Sequence, residues 1–171
     1  IGNAGFIQVF DTIIRNNTSF NFGGGLSNGA GASAQVSGSA IYGNFAPVGG
    51  GGIRNDGTLT LYNSTISGNR TGRGGGGILN LGNAYINNST IVDNRSNDHN
   101  LITKAPQRAG GVSVADGSVF LRNTLIARNV DNRPGALDLA PDCNNTVTSY
   151  RHNLIGNANQ CTVDDPSSAG T

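Results

Sequence analysis

The chain contains no methionine, no tryptophan and no glutamate, and it carries one lysine, two histidines and two cysteines in 171 residues. Each shortage excludes something. Met, Glu and Lys are among the best helix formers, so a helical domain has little to be built from. Two separated histidines without glutamate leave a zinc-type centre short of ligands, and no metal or other cofactor is expected. No apolar run reaches the roughly 18 residues of a membrane-spanning helix, so direct membrane insertion is not expected. Net charge is +1 and charged residues make up 12%. Nucleic acid or an anionic membrane surface would need clustered Lys and Arg, so neither is expected as a partner.

What is abundant is glycine and asparagine, and both recur in order. Residues 49–69, GGGGIRNDGTLTLYNSTISGN, are written again at 74–94 as GGGGILNLGNAYINNSTIVDN. The shared ending recurs at Asn16, Asn44, Asn69, Asn94, Asn129 and Asn157, three residues after Ile13, Ile41, Ile66, Ile91, Ile126 and Leu154. A period near 25 residues, made of short β-type runs broken by Gly and Asn, marks a solenoid whose repeats contact only their neighbours. About six coils in one domain spanning 1–171 are predicted, with 162–171 as a tail.

Inward positions follow from the alignment of the copies. One column runs through Leu26, Ile53, Ile78, Val112 and Cys143, a second through Ala34, Leu59, Ala84, Val119 and Val147, and a third through Val36, Leu61, Ile86 and Leu121. Ile7, Val9 and Ile13 are the inward candidates of the first, incomplete coil. Like stacked on like at about 4.8 Å gives parallel sheets paired coil to coil. The predicted fold is all-β, a right-handed single-stranded parallel β-helix, the hand being that of parallel crossovers. The six ending asparagines form a side-chain ladder, with Asn28, Asn55 and Asn80 as a second column and Asn63, Asn88 and Asn123 as a third. The chain opens in mid-repeat at Ile1, so a processed chain or a piece of a longer one is expected.

Two insertions interrupt the period, 95–109 and 130–140, leaving from the same corner of successive coils. Loops on a rigid scaffold are where recognition concentrates. The candidate ligand-binding rim is therefore His99, Lys104 and Arg108 on one loop and Asp131 and Arg133 on the next, a solvated polar loop being the plainer account. Cys143 and Cys161 both fall in the last coil, away from any CxxC or His partner, and are expected to form an extracytoplasmic disulfide. Asp56 and Asp116 stand about 10 Å apart by strand spacing. That is near the separation of inverting carboxylate pairs, but Asp-Gly is first of all turn chemistry. The Gly runs lack the Lys-Ser/Thr of a phosphate loop. Asp93 and Arg128 should meet as a surface ion pair. Sequons at Asn16, Asn63, Asn69, Asn88, Asn94 and Asn144 largely restate the repeat.

The phrase around residues 50–69, followed by Asn123-Thr124-Leu125-Ile126, Pro141-Asp142-Cys143 and Asn153-Leu154-Ile155-Gly156, resembles bacterial right-handed parallel β-helix repeat surface proteins. These have a choice-of-anchor Q type ending, repeats like those of polymorphic outer-membrane proteins, and a place in the pectate-lyase-like superfamily. The resemblance implies a secreted or surface-anchored β-solenoid, mostly of unassigned activity, and it transfers no set of calcium-binding acids with a catalytic Arg. The functional expectation is an extracellular structural or adhesive module without catalytic residues, with head-to-tail assembly of the chain with itself and surface glycans as partners. The alternative is a carbohydrate-binding or carbohydrate-active β-helix.

Overall fold

The computed structural model describes residues 1–97, 109–132 and 141–166, and among them there is no helix. Every strand pairing is parallel and joins one coil to the next, as a parallel β-helix requires. Four faces turn around the axis. The first face stacks Gly2–Asn3, Leu26–Asn28, Ile53–Asn55, Ile78–Asn80 and Val112–Val114. The second stacks Phe6–Phe10, Ser33–Ser37, Thr58–Tyr62, Asn83–Asn87 and Ser118–Arg122. Strand Cys143–Ser149 continues both, pairing with Val112 at one end and Phe120 at the other. The third face holds Ile13–Arg15, Ala40–Tyr42, Thr65–Ser67, Thr90–Val92, Leu125–Ala127 and Leu154–Ile155. The fourth holds Phe45–Ala46, Arg70–Thr71, Arg95–Ser96 and Val130–Asp131.

The three predicted inward columns are in register, and all their members are buried in one apolar cluster. A fourth column runs Ile14, Ile41, Ile66, Ile91 and Ile126 to Ile155. Here the sequence alignment slips by one residue at both ends. Ile13 and Leu154 point outward and are 63% and 64% exposed, while their neighbours Ile14 and Ile155 take the inward place.

The asparagine ladder follows the same shift. It begins at Asn17, not Asn16, which sits in a left-handed turn at φ 54°. Asn17, Asn44, Asn69 and Asn94 each donate from Nδ2 to Oδ1 of the next asparagine at 2.9–3.0 Å, ending on Asn129. Asn157 is not a rung. The ladder closes instead on Asp142, whose Oδ1 accepts from Asn129 Nδ2 at 2.7 Å and from its backbone N–H at 2.8 Å. Oδ2 of Asp142 accepts the N–H of Asn157 at 2.8 Å. A carboxylate has no proton to pass on, so the column stops there. The second ladder gains a member, Asn3, and runs through Asn28 and Asn55 to Asn80. The third predicted column is no ladder. Asn63, Asn88 and Asn123 are left-handed turn residues at φ 47–49°, a conformation Asn tolerates better than most residues. The stacking beside them is done by Ser39, Ser64 and Ser89, whose Oγ atoms accept N–H groups of the preceding coil.

Glycine is dictated where the backbones of adjacent coils approach closely. A Cβ on Gly76 would stand 2.6 Å from the backbone of Arg95, and one on Gly110 2.3 Å from Val130 N. At the C-terminal end Gln160–Asp164 forms a further strand under Cys143–Ser149, so residues 162–164 belong to the solenoid and not to a tail. Cys143 fills the last inward position of its column and is bonded to Cys161 of that strand. A disulfide of this kind fits a non-reducing environment.

Candidate functional site

Side chains that face outward on the second face stack as strictly as the inward ones. One outward column reads Gln8, Gln35, Thr60, Tyr85, Phe120. Gln8 donates to Gln35 at 2.9 Å, and the rings of Tyr85 and Phe120 stack with centroids 5.0 Å apart and planes 11° apart. The last coil has one residue more than its neighbours between the second and third faces, since Ser149 pairs with Leu121 and Ile155 with Ile126. Arg151 at φ 147° and His152 at φ 53° absorb the extra residue. Tyr150, which follows Ser149 and is level with Arg122, turns its ring over Phe120, at 6.2 Å and 25°.

The neighbouring outward column is Tyr62, Asn87, Arg122. Between the two columns lies a trough of about 430 Å³ lined by Tyr85, Asn87, Phe120, Arg122 and Tyr150 over Ile86 and Leu121. It continues into a depression of about 540 Å³ bounded by Arg122, Tyr150, Arg151 and Pro166. No carboxylate lines either part. Among the described residues the guanidinium groups of Arg122 and Arg151 make no ion pair, and the buried Oδ1 of Asn87 has no hydrogen-bond partner.

A second depression, also about 430 Å³, lies on the first face among Phe22, Val48, Leu79 and Leu81. The Arg54 guanidinium stands 3.7 Å over the Phe22 ring and its Nε donates to Asp56 Oδ2 at 2.8 Å. Arg54 is therefore held on both sides, and Asp56 is committed to it. Asp116 accepts the N–H of Gly117 at 2.7 Å, as turn chemistry predicts. Arg128 and Asp93 form the expected exposed ion pair.

Of the rim candidates, His99, Lys104, Arg108 and Arg133 lie outside the described residues. Asp131 is a correction. It belongs to strand Val130–Asp131, pairs in register with Ser96 and is buried, so it faces the interior beyond Ala46, Thr71 and Ser96 and not the rim. Among the described residues no three His, Cys, Asp or Glu side chains come together.

The aromatic trough was not singled out from the sequence, although half its signal was present. Tyr85 and Phe120 each precede an inward residue, Ile86 and Leu121, and so must share an outward column. Tyr150 carried no such mark because it does not share their column and reaches Phe120 only by the turn of its ring. Compared with protein-family models, curated proteins and solved structures, the chain matches none.

Proposed function

We propose that the chain is a structural and adhesive β-solenoid working at the cell surface or outside the cell. What carries this reading is the clamped terminal rung, in which Cys143 and Cys161 lock the last strand onto a rod already continuous in its core and its amide ladder. A disulfide serves an oxidising compartment, and a rigid rod that presents stacked outward columns suits display and attachment. Incubation with a panel of acidic and neutral polysaccharides should give no turnover. Turnover abolished by Asp56→Ala or Asp116→Ala would replace this function with the second one, a carbohydrate-active β-helix, which the two exterior depressions favour.

Self-assembly head to tail belongs to the same proposal. Such a contact is heterologous and grows into a fibre, because it does not close. The ladder cannot carry across the joint, since Asp142 offers only acceptors, so stacking would rest on strand edges. Electron microscopy at high concentration is the test. Filaments with an axial repeat of about six strand spacings, roughly 29 Å, are the expected result, and dispersed monomers would remove the fibre from the proposal.

A further inference from the structure

We infer that the trough on the second face binds an anionic glycan, running along the solenoid axis from Tyr85 to Arg151. The inference rests on the adhesive reading and gives it a ligand class.

Three features point the same way. The first is ring orientation. The Phe120 ring lies between that of Tyr85, in its own column, and that of Tyr150, which reaches across from the position level with Arg122. The stacked faces are thus turned to one another and the edges to the trough. An aromatic ring is negative on its face and positive at its edge. Edge-on rings therefore favour anions, whereas a neutral sugar or a nucleobase needs an open face to stack on. The second is uncompensated charge. Arg122 is shared by both parts of the trough and Arg151 lines the second, and no described acid pairs with either. Asp164 lies on the same outward column, two rungs beyond Phe120 through Thr148, outside the lining residues. A guanidinium offers a forked donor to a carboxylate or a sulfate ester. The third is the orphaned acceptor, Asn87 Oδ1, which is buried in the trough wall. A turn of the half-buried Asn87 amide toward the trough would give this oxygen a ligand hydroxyl as its donor, and a buried acceptor left empty is costly.

A glycan with carboxylate or sulfate groups meets all three demands at once. Nucleic acid supplies the negative charge that the first two features ask for, but DNA lacks the run of hydroxyl donors that a glycan carries.

The test uses the whole chain and isothermal titration with four probes: a sulfated heparin hexasaccharide, a carboxylated galacturonate hexamer, neutral maltohexaose and an oligothymidylate. Binding of either anionic glycan, weakening as salt is raised, is expected, and the stronger of the two identifies the anionic group. Arg122→Ala should weaken it roughly tenfold to a hundredfold, the worth of one charged hydrogen-bond set, while Arg122→Lys retains part. Arg128→Ala, which alters an exposed cation elsewhere, should leave binding unchanged. Both arginines are exposed, and unchanged thermal melting of the variants shows that the fold survives. Equal binding of maltohexaose, tighter binding of oligothymidylate, no binding of any probe, or indifference to Arg122→Ala overturns the inference. Failure of the adhesive reading looks different: it appears as polysaccharide turnover, which titration with intact product recovery distinguishes from binding.

Discussion

Replacing Asn69 by alanine tests what holds the coils together. Asn69 is fully buried and its amide makes four hydrogen bonds. Oδ1 accepts from the backbone N–H and from Nδ2 of Asn44, both at 3.0 Å. Nδ2 donates to Ile41 O at 2.9 Å and to Asn94 Oδ1 at 3.0 Å. Truncation strands two donors of Asn44 in a dry corner, whereas Asn94 Oδ1 keeps the backbone N–H of residue 69. A buried donor without a partner costs about 1–3 kcal/mol, so the pair costs about 2–6 kcal/mol. Set against a total stability of about 5–15 kcal/mol, that is a large share. Urea unfolding followed by far-UV circular dichroism gives the loss from midpoint and slope. The control is Asn63→Gly at an exposed left-handed turn position, expected to change stability by no more than about 0.5 kcal/mol. A loss below about 1 kcal/mol for Asn69→Ala, or equal losses for the two variants, would refute the ladder as a source of stability.

Gly76→Ala should lower stability by at least about 3 kcal/mol, because its Cβ would meet the Arg95 backbone at 2.6 Å, while Gly5→Ala meets nothing within 4 Å and should be neutral; thermal melts of the two compare them. Cys161→Ser should cost about 3 kcal/mol by loop closure over a separation of 18 residues, and a thiol assay on unreduced, denatured wild-type protein should find no free thiol. In a glycosylating host, mass spectrometry of the folded product should find sugar at Asn63 or Asn88, which are exposed, and none at Asn69, Asn94 or Asn144, which are buried in their sequons. A glycan on Asn69 or Asn94 in folded material would contradict the ladder geometry.

The coil count and three inward columns were legible because a solenoid places the same residue type above itself, so Leu26, Ile53, Ile78 and Val112 align by eye as well as in space. The slips come where the chain offers two candidates for one place. Asn16 and Asn17 are adjacent, and only backbone register decides that the second carries the amide. At the other end the extra residue near Tyr150 moves Ile155 inward in place of Leu154 and takes Asn157 off the ladder. Asp142 was illegible for a different reason. It reaches the ladder from across an insertion, so no periodic count arrives at it. Asn63, Asn88 and Asn123 misled because asparagine serves two physical purposes, as an amide rung and as a residue that accepts positive φ, and periodicity does not distinguish them.

The end of the amide ladder gives the rod an electrical sense. From Asn17 to Asn129 every side-chain amide donates toward the C-terminal coil, so the amide dipoles add head to tail as peptide dipoles do along a helix. Their positive end arrives at Asn129, and there the chain places the carboxylate of Asp142. Asp142 is to this column what an acidic residue is to a helix N-terminus: a fixed counter-charge where partial positive charge accumulates. Asp142→Asn would surrender that charge and, with an amide nitrogen turned toward the N–H of Asn157 in place of Oδ2, one acceptor with it.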